Sequence, residues 1–129
     1  MNTLDFRESM DNGLSFELLI DGTPLGDLVG GERGGFPYWL VDGDLPRWGE
    51  DASSGRRIVC VCECGEYGCG HTSCLVELKG EVVRFREFEG AASKPGKLFV
   101  VSVMKYRSVV SAIVARANAR READHPLEG

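Results

Sequence analysis

The chain predicts an α+β fold: an antiparallel β-sheet built as a meander of hairpins, with one long C-terminal helix packed on one face. Three observations carry this. Apolar residues alternate through Leu14-Ser-Phe16-Glu-Leu18-Leu-Ile20, the period of a half-buried strand. Two alternating runs meet at a glycine within Cys74–Phe85, the pattern of a tight hairpin. Val103, Tyr106, Val110, Ile113, Val114 and Ala117 then recur at helical spacing.

In chain order, the first strand turns Phe16, Leu18 and Ile20 inward, and Asp21-Gly22 ends it in a turn. Thr23-Pro24 reads as a helix N-cap followed by proline at the first helical position. That short helix runs through Val29, closed by Gly30-Gly31 and Gly34-Gly35. Phe36–Val41 is a second apolar run. Asp42 to Gly55 is a polar loop in which Asp42, Asp44, Glu50 and Asp51 flank Trp48. Arg57–Cys62 reads as a strand. A two-residue turn at Lys79-Gly80 then opposes Leu78 to Glu81, Val76 to Val83 and Cys74 to Phe85. This register puts Cys74, Val76, Val83 and Phe85 on the core face and lets Glu77 pair diagonally with Arg84 on the other. Ala91–Gly96 is a loop and Leu98–Val101 a strand. Ser102 is the N-cap of the long helix, which ends near Ala123 with Arg116 and Arg120 on its surface. Residues 124–129 read as a frayed tail in which His125 is solvated.

The length of 129 residues, with 43% hydrophobic and 27% charged content, is that of one domain, 1–129, with a modest core. No run approaches the ~18 apolar residues of a membrane span. The start lacks the basic and apolar regions of a signal peptide, so the expected location is cytoplasmic, where thiols stay reduced. Five cysteines, an odd number, also argue against a complete disulfide framework. Charge is uneven. Residues 1–90 carry 17 acids and 8 bases, whereas residues 91–121 carry 7 bases and no acid. The acidic body repels phosphate and argues against nucleic acid; it attracts a basic protein partner. The basic stretch reads as the solvated face of the long helix.

Chemically capable side chains crowd into one segment, Cys60-Val-Cys62-Glu-Cys64-Gly-Glu-Tyr-Gly-Cys69-Gly-His71-Thr-Ser-Cys74. If Gly65–Gly68 is a four-residue hairpin loop, Cys64 opposes Cys69 and Cys62 opposes His71, all on one face. Thiolate and imidazole in sets of four are the ligands of structural zinc, so Cys62, Cys64, Cys69 and His71 are the candidate metal ligands. A regular hairpin holds four such positions in a rectangle of roughly 5 by 7 Å, which does not converge on a tetrahedron without a bulge or strong twist. The C-x-C spacing also differs from the C-x-x-C knuckle of zinc ribbons. The competing readings are reduced structural thiols beside a tight turn and a redox thiol, Cys69 with His71. In this register Cys60 falls opposite Ser73, and Cys74 belongs to the core. Glu63 and Glu66 form no acid–base pair, and no phosphate-loop, dinucleotide or H-E-x-x-H motif occurs. No catalytic residue is therefore assigned.

The chain resembles a family of bacterial proteins, frequent in actinobacteria, on four motifs. These are Ile20-Asp21-Gly22-Thr23-Pro24-Leu25, the C-x-C-G-x-x-G-C hairpin from Cys62 to Cys69, the aromatic-acid pair Phe88-Glu89, and the apolar strand Phe99–Val101 leading to Tyr106. They occur in order across residues 16–115, and the resemblance implies a shared architecture without assigning an activity. Gly70-His71-Thr72 stands where relatives have an aromatic and Pro-Leu, and Gly90–Ser93 replaces a basic segment. His71 is thus outside the family pattern.

The leading expectation is a small non-enzymatic binding protein, in its most concrete form an immunity-type protein that neutralises a basic partner, with the acidic body and the Trp48 loop as contact surfaces. The alternative is a zinc-binding domain stapled at Cys62, Cys64, Cys69 and His71; a thiol-dependent redox enzyme stands third. Elemental measurement on protein purified without chelator tests the zinc alternative. Zinc below about a tenth of an equivalent rejects it, whereas a bound ion makes chelator lower the thermal midpoint.

Overall fold

The computed structural model describes residues 1–10, 13–30, 35–38, 41, 55–61, 71–90 and 96–124. Strands β1 (Leu4–Ser9) and β2 (Ser15–Ile20) pair antiparallel, from Leu4 opposite Ile20 to Ser9 opposite Ser15. The alternation in β2 buries Phe16, Leu18 and Ile20, as the sequence predicts. Two short strands share the other edge of β2: β3 (Thr23–Pro24) near its end and β4 (Phe36–Pro37) near its start. Between them lies the single turn of α1 (Leu25–Val29), ended by Gly30 in the left-handed conformation. Thr23 is thus a strand residue pairing with Ile20, and Pro24 is the N-cap rather than the first helical residue, with no side-chain cap bond. The turn before it explains the difference: Asp21 and Gly22 both have positive φ, and such a two-residue turn returns the chain directly into a ladder.

The second sheet is a meander of β5 (Gly55–Val61), β6 (His71–Lys79), β7 (Val82–Glu89) and β8 (Phe99–Ser102). Its central hairpin turns at Gly80-Glu81, one residue later than predicted, so Leu78 opposes Val83 and Val76 opposes Phe85. Gly80 has φ 61° and occupies the first central position, where a type II′ turn takes glycine. Cys74, Val76, Val83 and Phe85 are nevertheless all fully buried. Moving a two-residue turn by one position changes each opposing pair by two residues, and side chains keep their face.

Backbone hydrogen bonds join the two sheets at both margins. Val61 N donates to Gly35 O at 2.9 Å, and Asn2 N donates to Val100 O at 2.7 Å. Helix α2 (Val103–Asp124) closes the core between them. Ser102 caps it as predicted, its Oγ accepting from Lys105 N at 3.1 Å. Tyr106, Val109, Val110, Ile113 and Ala117 form its buried stripe, and the Tyr106 ring meets Phe85 edge-on at 6.0 Å. Arg116 fixes the helix to β1 through both Glu8 oxygens, at 2.6 and 3.3 Å.

Gly35 is sterically obligatory, since a Cβ there would overlap the Phe16 carbonyl. Gly35→Ala is expected to cost about 3 kcal/mol of unfolding free energy in urea titration. The N-terminus supplies a pH-dependent tie. The Asp21 carboxylate accepts from Thr3 N and from Asn2 Nδ2, each at 2.8 Å. The Thr3 amide first, then the Asn2 amide, hold its pKa below the ordinary aspartate value. A depressed folded pKa gives stability that is complete above the unfolded value of about 3.9 and is lost as pH falls through the folded one. Asp21→Asn is expected to flatten that part of the acid limb of a stability–pH curve and to leave the neutral-pH slope unchanged.

Candidate functional site

Strand β5 enters the cysteine-rich segment and β6 leaves it. Ile58 opposes Ser73, and the ladder then shifts at a bulge, so Cys60 opposes Thr72 and Val61 opposes His71. Two predicted pairings are corrected here. Cys60 faces Thr72 rather than Ser73, and His71 faces Val61 rather than Cys62. Nine residues separate Val61 from His71, an odd number, whereas a symmetric four-residue loop between paired strands requires an even one. Cys62, Cys64 and Cys69 lie outside the described residues, as do Glu63, Glu66, Trp48, the loop over 42–54 and His125. Of the four candidate ligands, His71 alone has a described position, half-buried at the start of β6. Among the described residues, no group of three or more His, Cys, Asp and Glu side chains comes together to hold a metal.

Residues directly opposed or two apart along a strand share a face. On the core face of the second sheet this brings together Arg57 and Cys60 from β5 with Thr72 and Cys74 from β6. All four are buried, as is Tyr106 from α2. Burial pushes the Cys74 thiol far above its ordinary value; neighbouring Cys60 adds to this, while Arg56 and Arg57 pull the other way. Burial likewise raises Tyr106 to about 12 against the attraction of Arg57. Both groups are neutral at physiological pH, and a neutral thiol is neither nucleophile nor metal ligand. The core position predicted for Cys74 agrees with this. Arg57 was not singled out by sequence, although its place two residues after Gly55 on a strand edge gave room for a long side chain: a Cβ on Gly55 would meet Arg57 Nη1 at 2.6 Å.

The opposite face of the same sheet is charged. Arg86 donates to both oxygens of Glu77, at 2.5 and 3.1 Å. That bond is the first cause holding the Glu77 pKa down and the Arg86 pKa up. Arg84, directly opposite Glu77 rather than diagonal to it, stands at 3.8 Å from the same carboxylate. Arg56 donates to Ser73 Oγ at 3.1 Å and to the Glu87 carbonyl at 3.0 Å. Glu87 has φ 53° where the β6–β7 ladder shifts between Ser73 and Leu75. A bulge residue in the left-handed region is normally glycine, and Arg56 helps hold this non-glycine one in place.

Comparison with protein-family models, curated proteins and solved structures finds no match to this chain. No helix among the described residues is long and apolar enough to cross a membrane.

The interior thiols yield a direct expectation. In a Cys62→Ser, Cys64→Ser, Cys69→Ser variant, Cys60 and Cys74 should react with a thiol reagent at the rate of unfolding, with a full two equivalents released in denaturant. Immediate reaction of either in the folded protein would contradict their burial.

Proposed function

We propose that the protein is a non-enzymatic binding module that presents acidic connecting segments to a basic protein partner. The observation that carries this is how charge divides between scaffold and connections. The described residues hold 12 bases and 11 acids, close to balance. The remaining residues hold 3 bases and 9 acids. Nearly all the excess negative charge therefore belongs to the segments between elements, chiefly 42–54 before β5 and 62–70 after it. Recognition groups concentrate on connections held by a rigid scaffold, and an acidic set with Trp48 among it suits a cationic surface. Burial and raised pKa values make Cys74 and Tyr106 poor nucleophiles. The immunity-type form of this reading is neutralisation of a basic protein by covering its charged surface.

Co-purification from the native host at low ionic strength tests it. The expected partner is basic, is released by salt, and is lost in the variant Asp42→Asn, Asp44→Asn, Glu50→Gln, Asp51→Asn. Purification of the chain alone, or capture unchanged by the variant, would reject the reading.

A further inference from the structure

Strand β1 borders the first sheet. Among the described residues it pairs with β2 alone, so its other margin is an edge. The clasp at Asp21 tells which backbone groups point there. Asp21 N donates to Thr3 O, and Thr3 N donates to the Asp21 carboxylate, so Thr3 turns its backbone groups toward β2. Such groups alternate sides along a strand. Asp5, Arg7 and Ser9 therefore bond β2, whereas Leu4, Phe6 and Glu8 direct their N–H and C=O groups outward. Among the described residues no backbone group meets these three on that side. A side chain does: Asp5 Oδ1 accepts from Phe6 N at 2.8 Å. Helix α2 reaches β1 from the face that carries the Leu4, Phe6 and Glu8 side chains, through Arg116 and Glu8. Buried backbone groups without partners are rare, so the edge itself faces water.

We propose that β1 pairs with β1 of a second copy of this chain, antiparallel across a two-fold axis at Phe6. Leu4 then opposes the partner's Glu8, and Phe6 opposes the partner's Phe6, each pair exchanging both of its N–H···O bonds. Between them Asp5 opposes the partner's Arg7, and Arg7 opposes the partner's Asp5. Charge selects this register. Shifting it by two residues sets Asp5 against the partner's Asp5 in one direction and Arg7 against the partner's Arg7 in the other, each a destabilising like-charge pair. Arg7 is open to a second carboxylate: its side chain is 60% exposed, and Glu17 on β2 engages its Nε and Nη2, leaving Nη1. The half-buried Phe6 ring, 6.1 Å from that of Phe16, covers its symmetry mate across the axis. Charged residues on an edge strand normally guard it against pairing. Asp5 does so in the single chain by holding the Phe6 amide; on pairing, that amide passes to the partner's Phe6 carbonyl and the carboxylate turns to the partner's Arg7. At physiological ionic strength the net charge of −5 is screened beyond about 8 Å, so the contact itself decides association. This edge contains none of the acidic segments invoked above and stands without that reading.

Sedimentation velocity of the full chain at physiological ionic strength is expected to show a monomer–dimer equilibrium. Asp5→Arg places two arginines opposite one another at each contact and should weaken the dimer more than about tenfold. Arg7→Asp does the same with two carboxylates. An equimolar mixture of these two variants restores opposite charges at both contacts, and should form a heterodimer where neither variant dimerises alone. Residue-resolved hydrogen exchange in wild type provides a readout independent of variant stability. The amides of Leu4, Phe6 and Glu8 should gain protection as protein concentration rises, while those of Asp5 and Arg7, already bonded to β2, should not change. The proposal is overturned if wild type stays monomeric at millimolar concentration, if Asp5→Arg dimerises as wild type does, or if the mixture of the two folded variants stays monomeric. It is also overturned if the gain in protection does not alternate along β1.

Discussion

The hydrogen bond from Val61 N to Gly35 O decides whether this chain has one core or two inadequate ones. The first sheet is a single long hairpin with two dipeptide strands on its edge. Such a sheet cannot cover its own apolar face. The second sheet has the same problem at larger scale. Joining Gly35, immediately before β4, to the last residue of β5 turns both apolar faces onto each other, and Phe16, Phe36, Val61 and Phe85 enter one cluster. The bond forms because Gly35 lies against the Phe16 carbonyl with no side chain between. At the opposite margin Asn2 uses its backbone and its side chain together. It exchanges hydrogen bonds with Val100 and donates to Asp21, tying β8 to the β2–β3 turn. Helix α2 then lies over that second seam, bridging β8, β7 and β1.

What was legible in the sequence follows from parity. Facing in a strand depends on whether a residue is odd or even, so alternation alone gives the buried face of β2. The β6–β7 hairpin kept its core set even though its turn sits at Gly80-Glu81. The long helix was legible from its apolar period and from Ser102, because a cap bond is local. The pairing of Cys60 and His71 is not legible in the same way. It depends on counting residues across the segment between β5 and β6, and a bulge after Ile58 changes that count by one. One residue is enough to exchange faces. Nothing in Arg56–Cys60 announces a bulge, since Ile58, Val59 and Cys60 are all apolar enough to be buried on either side. The burial of Arg57 was hidden for the same reason.

The basic C-terminal stretch reads as a solvated helix face, and two of its seven bases do structural work instead. Arg116 grips Glu8 of β1, and Arg121 donates to the Tyr38 carbonyl at 3.0 Å as well as to Asn118. Two cations of α2 thus fasten it to strands far away in sequence. Long side chains reach such partners readily, and their apolar stems cover the margin of the core on the way. Exposed pairs of this kind contribute little energy individually; their effect is to fix which way the helix lies over the seam.

The interior holds a contrast that limits where chemistry can occur. Arg57 is buried beside Cys74 and Tyr106, and a guanidinium does not give up its proton in a protein. The adjustment falls on its neighbours. If the attraction of Arg57 dominated, the thiol and phenol would ionise more easily than usual. Both instead move the other way, because loss of hydration outweighs Arg56 and Arg57 at the thiol and Arg57 at the phenol. Where desolvation wins over an adjacent positive charge, the thiol and the phenol stay uncharged beside it.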